Sequence, residues 1–181
     1  KVITKVDALE IKPGSRWLVR GGSGAGKTTF LKALAGIWQY GEGTVSLPEC
    51  RMMFLPQEPY LPLDTLRACL CYPENPALFS DGECVRVLEK CGLNQFVANL
   101  DDDDITWSRK LSPGEKQRLA FAKCLLIRPS FLFMDEATSA LDNRMEQLLF
   151  ENLLNELPET TIVSVAHRLS IDRYHDNLLT I

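Results

Sequence analysis

A glycine-rich loop between an apolar stretch and a helical pattern is the feature that most constrains this chain. The loop consists of Gly21, Gly22, Ser23, Gly24, Ala25, Gly26, Lys27, Thr28 and Thr29. The stretch before it, residues 16–19, is predicted as a short buried strand, and apolar residues at helical spacing follow it. Strand, glycine loop and helix in this order form the context in which the pattern Gly-x-x-x-x-Gly-Lys-Thr binds phosphate.

Each residue type in this loop has a physical role in holding a polyphosphate. Glycines let successive backbone N–H groups approach phosphate oxygens closely, and the start of the following helix adds unpaired donors. Lys27 supplies a mobile charge for the β- and γ-phosphates, and the Thr28 hydroxyl can enter the shell of a Mg²⁺ ion. The alternative is a flexible loop with a solvated lysine, which the flanking patterns disfavour. We therefore predict a nucleoside triphosphate with Mg²⁺ as the ligand.

An acidic pair follows a second apolar stretch. Residues 131–134 are continuously apolar and lead into Asp135 and Glu136. Such a run suits a central parallel strand covered on both faces, and open α/β sheets bind ligands at the carboxyl ends of their strands. Asp135 is predicted to hold Mg²⁺ through water, and Glu136 to polarise an attacking water. The alternative is that both acids only solvate the end of the strand.

A helix start is well specified at residues 111–118. Ser112 fits the N-cap position, Pro113 the first helical position and Glu115 the third, which together make a capping box. The plain interpretation is a well-capped surface helix. The functional interpretation is that this helix N-terminus, with its serine hydroxyl, faces a phosphate. The sequence separation from the glycine loop does not decide which phosphate that is.

Composition and charge exclude several classes of protein. The 181 residues suit one domain, and 20 Lys and Arg against 24 Asp and Glu give no electrostatic footprint for nucleic acid. The six cysteines form no paired Cys-x-x-Cys set and are interpreted as reduced thiols. Residues 2–11 are predicted as a strand, and residues 177–181 end in an apolar run. We therefore expect a fragment that is truncated at both ends.

The order of the motifs along the chain resembles the nucleotide-binding domain of an ABC transporter, over essentially the whole length. The motifs are residues 21–29, Gln57 within residues 54–59, residues 111–115, residues 134–142 and residues 164–168. Residues 136–142 and 166–170 are similar to those of the exporter type. Residues 59–62 and Trp107 resemble the branch of peroxisomal fatty-acyl transporters and their bacterial relatives named for vitamin B12 or antimicrobial-peptide uptake.

The resemblance implies roles for individual positions. The glycine loop would bind ATP, and Thr28, Gln57 and Asp135 would be the residues around Mg²⁺. Glu136 would be the catalytic base, and His167 would contact the γ-phosphate and hold Glu136 in position. Gln57 would also sense the attacking water and couple to the membrane domain.

The resemblance also implies partners. Ser112, Gly114 and Glu115 would form the signature that closes over the nucleotide of a second nucleotide-binding domain, in a homodimer or heterodimer, and Asp142 would lie at the dimer seam. A transmembrane domain would be fused upstream, and the domain would lie at the cytoplasmic face of a bacterial inner membrane or an organelle membrane. No nucleic-acid partner is expected.

The signature departs from the family's usual Leu-Ser-Gly-Gly-Gln. Pro113 replaces the first of these glycines and lacks a backbone N–H, so any phosphate contact from that amide is lost. Glu115 places a carboxylate near a phosphate unless it turns back to cap the helix, which is the expectation. The aromatic residue that stacks on adenine in this family has no match in the chain.

The expected fold is an α/β P-loop NTPase core of the RecA-like kind, with a mostly parallel sheet. Antiparallel strands from the N-terminal stretch and an inserted helical subdomain at about residues 67–128 complete it. The expected function is ATP hydrolysis that drives transport. One alternative is a regulatory nucleotide-binding and dimerisation module with little turnover, because the signature is altered. A second alternative is a soluble ABC-type ATPase without transport, but the span between Lys27 and Ser112 has no room for a long coiled coil. A third is a small-molecule kinase, in which Gln57, residues 111–115 and His167 would have no role.

Overall fold

The computed structural model describes residues 4–102 and 105–181, which form two compact units. In chain order the strands and helices are β1 (Arg16–Arg20), α1 (Lys27–Leu34), β2 (Met52–Leu55), α2 (Leu66–Cys71), α3 (Asp81–Lys90), α4 (Trp107–Lys110), α5 (Pro113–Ile127), β3 (Phe131–Asp135), α6 (Asn143–Glu156), β4 (Thr161–Val165) and β5 (Asn177–Thr180). Short 3-10 helices occupy Pro76–Leu78, Asn94–Asn99 and Leu169–Tyr174. Within the described ranges, no helix has both the length and the apolar character that crossing a membrane requires.

The first unit is built on a parallel sheet and takes in Lys1–Pro56, Pro129–Ala137 and Glu159–Ile181. Its strands lie in the order β2-β3-β4-β1-β5, and every described pair is parallel. The strands β3 and β4, which lie inside the sheet, are buried at every position. Such continuous burial is typical of parallel strands that are covered on both faces. The predicted α/β class with a mostly parallel sheet is confirmed.

The core of this unit lies where α1 packs on the sheet. Leu31 of α1 is fully buried in a cluster with side chains from three strands, namely Val19, Phe131, Phe133, Val163 and Val165. The rings of Phe131 and Phe133 are stacked with their centroids 4.8 Å apart. Burying a side chain of this size stabilises the fold by about 1.5–3 kcal/mol. This packing fixes the start of α1 relative to the end of β1.

The predicted N-terminal strand is wrong for the residues that the structure describes. Val2 and Ile3 lie outside them, and residues 4–15 form no strand. Both edges of β1 are already paired, with β4 on one side and β5 on the other, so the stretch cannot pair there. A stretch with alternating apolar and polar residues forms a β-strand only when its backbone can hydrogen-bond to a partner strand. The antiparallel strands expected from this stretch are therefore absent from the described part of the sheet.

The second unit is helical and takes in Gln57–Arg128 and Thr138–Pro158. The predicted helical segment of about residues 67–128 lies within it, and α6 belongs to it as well. In this unit α5 packs against α2, α3 and α6, and Phe121 and Phe150 meet edge to face with their centroids 6.0 Å apart. The capping box predicted at the start of α5 is confirmed, with Pro113 in its first turn.

His175 of the first unit connects the end of the 3-10 helix Leu169–Tyr174 to β4. Its Nδ1 lies 2.9 Å from the carbonyl oxygen of Ile171, and its Nε2 lies 2.8 Å from Ser164 Oγ. Burial lowers the pKa of His175 below its ordinary value. A neutral ring satisfies both contacts, since Nδ1–H donates to the carbonyl and Nε2 accepts from the hydroxyl.

We expect the contribution of His175 to the free energy of unfolding to fall as pH is lowered from 7.5 to 5, and His175→Gln to remove this contribution. The unfolded chain binds a proton at this histidine near pH 6.5, whereas the folded chain binds it only at lower pH, so acid favours unfolding. For one proton the slope is at most about 1.4 kcal/mol per pH unit. Urea unfolding at each pH measures it, with His167→Gln as the matched control. An unchanged pH dependence in His175→Gln contradicts the prediction.

Candidate nucleotide-binding site

The glycine loop runs from the end of β1 to the start of α1, as its sequence predicts. Gly26 occupies the N-cap position of α1 with φ 90°, in the left-handed region that favours glycine. A Cβ added at Gly21 would collide with the carbonyl oxygen of Ile181, so a side chain has no room there. Within the described residues, α1 begins without a side-chain cap and without an acidic residue in its first turn. The N–H groups of that turn are therefore available to an anion.

Lys27 is the first residue of α1 and is 7% exposed. Its ammonium turns back over the loop and donates to the carbonyl oxygens of Gly21, at 2.9 Å, and Gly22, at 2.8 Å. A lysine held by two backbone carbonyls has a defined position while it keeps its charge. The loop therefore holds a buried cation beside the unpaired amides of α1.

Thr28 and Asp135 meet at the end of the sheet. The Thr28 hydroxyl donates to Asp135 Oδ1 over 3.0 Å. Burial raises the pKa of Asp135, the charge of Glu136 raises it further, and the hydrogen bond from Thr28 opposes both. A buried carboxylate beside a second carboxylate is stabilised by a bound cation, and hydroxyl and carboxylate oxygens are the ligands that Mg²⁺ prefers. These residues therefore fit a Mg²⁺ ion.

A metal ion here would need oxygen ligands from a nucleotide as well. Among residues 4–102 and 105–181, no group of three or more His, Cys, Asp or Glu side chains is placed to hold a metal ion. Mg²⁺ is usually bound by one or two carboxylates together with substrate phosphates. The pair of Thr28 and Asp135 agrees with that mode of binding.

Glu136 and His167 form the next pair along the same end of the sheet. Glu136 follows β3 with φ 50°, which is rare for a residue with a side chain, and its N–H donates to the Val165 carbonyl over 2.9 Å. Its Oε1 lies 3.1 Å from His167 Nε2. Strained backbone of this kind is concentrated at functional sites. The Glu136 carboxylate and the His167 imidazole are therefore in direct contact at this end of the sheet.

The other predicted site residues belong to the second unit, namely Gln57, Ser112, Gly114, Glu115 and Asp142. Ser112 and Glu115 bond to each other, because the Ser112 hydroxyl and N–H both donate to Glu115 Oε2, at 2.7 and 2.9 Å. Burial opposes ionisation of Glu115, but the hydrogen bonds from Ser112 hold its pKa below the usual value. The carboxylate therefore caps its own helix, as expected.

Gly114 and Asp142 have local structural contacts as well. A Cβ added at Gly114 would lie 3.2 Å from the carbonyl oxygen of Ala140, so the start of α5 approaches that loop closely. Asp142 caps α6, since its Oδ1 accepts from the N–H of Met145 over 2.8 Å. The structure thus groups the glycine loop, Asp135, Glu136 and His167 in the first unit, and the signature residues with Asp142 in the second.

Sequence reasoning missed Gln117, which connects three segments of the second unit. Its Nε2 donates to the carbonyl oxygen of Gln57 over 2.9 Å and to Ser139 Oγ over 3.1 Å. Its Oε1 accepts from the N–H of Ala140 over 2.9 Å. The residue is 2% exposed. Gln117 therefore fixes the backbone of Gln57 and the loop before Asp142 to the same helix.

One sequence signal could have identified Gln117. It shares a face of α5 with Ala120, Phe121 and Cys124, all of which are buried. An amide on an otherwise apolar helix face needs hydrogen-bond partners from outside the helix. The sequence pattern does not identify those three partners, because all of them lie outside α5.

A family sequence model and several individual proteins that this chain resembles all point to the same family. A sequence model described as ABC transporter matches residues 5–139. An uncharacterized ABC transporter ATP-binding protein of Haemophilus influenzae is 40% identical over 171 residues, which are 94% of this chain and 29% of that protein. The human lysosomal cobalamin transporter ABCD4 is 35% identical over an alignment of 193 positions, which covers 99% of this chain and 31% of that protein.

A solved structure is similar over nearly the whole chain. It is a bacterial Atm1-family ABC exporter with ATP bound, with a TM-score of 0.78 and 31% sequence identity, covering 96% of this chain and 33% of the exporter. The inner membrane ABC transporter ATP-binding protein YddA of Escherichia coli is 33% identical over 181 residues, which are 32% of its length. This chain therefore spans about a third of the length of these relatives.

We expect Gln117→Leu to lower the free energy of unfolding by about 1–3 kcal/mol, because the hydrogen bonds between the buried Gln117 amide and the backbone of Gln57 and Ala140 are lost. Urea unfolding measures the change. The matched control is Gln147→Leu, at an exposed position of α6, for which the change stays within about 0.5 kcal/mol. Equal losses of stability in the two variants would show that the buried amide has no special role.

Proposed function

This chain belongs to the ABC transporter family, as an ATP-binding domain, and on that premise we propose that it hydrolyses ATP with Mg²⁺ to drive transport across a membrane. The observation that carries the proposal is the pair of contacts at the sheet end, Thr28 with Asp135 and Glu136 with His167. The first suits a metal-bound triphosphate, and the second suits activation of a water. ABC ATP-binding domains are generally ATPases.

We propose that the glycine loop binds the phosphates. The first-turn N–H groups of α1 donate to phosphate oxygens, and the Lys27 ammonium leaves its two carbonyl partners for the β- and γ-phosphates. Thr28 and Asp135 hold Mg²⁺, which when bound polarises the phosphate oxygens and offsets their charge. Gln57, which belongs to the second unit, is the remaining residue that the resemblance assigns to the metal and the attacking water.

In the proposed hydrolysis, Glu136 accepts a proton from a water as the water oxygen attacks the γ-phosphorus. The bond from that phosphorus to the β–γ bridging oxygen breaks, and ADP and inorganic phosphate are released. His167 Nε2, which is 3.1 Å from Glu136 Oε1, keeps the carboxylate directed at the water and contacts the γ-phosphate. The roles assigned to Glu136 and His167 are general base and orienting group.

We further propose that two ATP-binding domains associate head to tail. Ser112 and Gly114 of one domain then face the nucleotide held by the glycine loop of the other, with Asp142 at the seam. A transmembrane domain in the full-length protein would receive the resulting motion at the cytoplasmic face of the membrane. This is supported by the length of the relatives, since the chain spans 33% of the Atm1-family exporter.

A specific observation favours a second candidate function, a nucleotide-binding and dimerisation module with little turnover. The Ser112 hydroxyl is engaged by Glu115 Oε2 at 2.7 Å, and Pro113 has no N–H to offer a phosphate. Steady-state phosphate release by the full-length protein separates the two candidates. Tight ATP binding without measurable release supports the module, and steady release supports the motor.

We expect Lys27→Ala to weaken binding of ATP with Mg²⁺ by at least about tenfold, since a buried charge–phosphate contact is worth more than about 1.4 kcal/mol. Calorimetric titration of this chain measures the affinity. Lys12→Ala, which removes an exposed lysine of the same unit, is the control and leaves the affinity unchanged. Absence of any heat with the wild-type chain would contradict nucleotide binding itself.

We expect Glu136→Gln to lower the turnover of the full-length protein by about 10²–10⁴-fold while ATP binding persists, because an amide cannot accept the proton of the water. Phosphate release measures turnover, and equilibrium titration measures binding. Glu151→Gln, at an exposed position of α6, serves as the control and turns over at the wild-type rate. A Glu136→Gln protein with wild-type turnover would exclude this residue as the base.

A further inference from the structure

Arg20 is the last residue of β1 and directly precedes the glycine loop. The strands β1 and β4 run in register with Val19 opposite Val165, which places Arg20 beside the residues that follow β4. Its Nη1 donates to the carbonyl oxygen of His167 over 3.3 Å, and its Nη2 donates to the carbonyl oxygen of Arg168 over 2.8 Å. One guanidinium therefore holds two consecutive carbonyls of this segment.

The same guanidinium has a third partner beyond the segment. Its Nη2 forms an ion pair with the Asp172 carboxylate, in the 3-10 helix Leu169–Tyr174. The Arg20 side chain is 21% exposed, so these bonds are partly shielded from water. Bonds between charged groups and carbonyls are stronger when water is excluded. Arg20 therefore fixes both the carbonyls before this helix and an acid within it.

This anchoring bears on the contact between His167 and Glu136. The His167 side chain is 56% exposed, so packing restrains its ring little, although Nε2 lies 3.1 Å from Glu136 Oε1. The other end of the contact is fixed by the sheet, because the Glu136 N–H donates to the Val165 carbonyl over 2.9 Å. An exposed ring keeps its position only when the backbone that carries it is fixed, and the Arg20 bonds fix that backbone.

We propose that Arg20 is a positioning residue for His167, a role that rests on the proposed function of His167 and Glu136. Arg20 touches no reacting atom and acts by holding the His167 and Arg168 carbonyls in place. When these bonds are lost, the imidazole leaves the carboxylate more often, so kcat falls. The KM for ATP changes less than kcat does, because Lys27 and the first-turn amides of α1 still bind phosphate when the His167 contact is weakened.

The chain provides a matched control in the same strand. Arg16, at the other end of β1, pairs with Asp176 through bonds of 2.9 and 3.1 Å. The charges of Arg16 and Asp176 act on His175, whereas the carbonyls that Arg20 holds belong to His167 and Arg168. Asp172, the acidic partner of Arg20, also acts on His175, so Arg20 affects His167 directly and His175 only indirectly. These are the two histidines of the chain. Arg20→Met and Arg16→Met therefore remove the same type of ion pair at two distinguishable places.

The first test observes the imidazole ¹H–¹⁵N signals of this chain, assigned with His167→Gln and His175→Gln. In Arg20→Met the His167 signals shift or broaden by more than those of His175. In Arg16→Met the pattern is reversed. His167 signals that remain at the wild-type position in Arg20→Met would overturn the proposal, and this result does not depend on ATP turnover.

The second test measures ATP turnover by the full-length protein. Arg20→Met lowers kcat by about tenfold, as a displaced orienting group does, with KM for ATP within about twofold. Arg16→Met keeps the wild-type kcat, and Arg20→Lys lies between, because one ammonium cannot reach all three acceptors at once. Equal kcat values in Arg20→Met and Arg16→Met would overturn the positioning role.

A third variant covers the case in which Arg20→Met folds poorly. Arg20→Lys is then used for both measurements, with a smaller displacement of the His167 signals and a smaller fall in kcat as the expected results. A wild-type spectrum together with a wild-type kcat in Arg20→Lys overturns the proposal. Wild-type turnover in Glu136→Gln is a different outcome, because it overturns the proposed function and leaves the contact between Arg20 and His167 as it is.

Discussion

The parallel pairing of β1, β4 and β3 is the constraint on which the candidate site depends. The carboxyl ends of parallel strands lie at the same edge of a sheet. Residues that follow different strands therefore meet there, although they are distant in sequence. The glycine loop follows β1, Asp135 ends β3, and His167 comes shortly after β4. Burial of β3 and β4 on both faces fixes their register, and register sets the distances among the polar side chains at their ends. The chemistry therefore depends on the apolar side chains beneath it.

The polar groups at this sheet end oppose stability before any ligand is bound. Asp135 is buried next to Glu136, and the rise in its pKa records the cost of that arrangement. The Lys27 ammonium is buried and donates to the backbone carbonyls of Gly21 and Gly22. Functional sites commonly retain such groups at the expense of stability. A ligand that brings both phosphate and a cation satisfies the lysine and the carboxylate together.

Local patterns in the sequence were enough for the elements whose determinants are local. The glycine loop, the start of α5 at Ser112 and the buried strand before Asp135 each depend on residues within one turn or one strand. The expected strand at residues 2–11 is absent from residues 4–15, because a strand depends on a partner, and none of the described strands pairs with this stretch. Arg20 and Gln117 were missed for the same reason, since their partners lie outside their own elements, 22 to 60 residues away for Gln117 and 147 to 152 for Arg20. Side-chain chemistry alone does not identify such partners.

The proline in the first turn of α5 has a consequence for the energetics of association. Its ring fixes φ near the helical value, and the reciprocal bonds of Ser112 and Glu115 hold the neighbouring backbone. A helix end that is already rigid loses little conformational entropy when another surface binds to it. Little of the binding free energy of such a surface would then be used in ordering the start of α5, because this helix start is already in its final conformation.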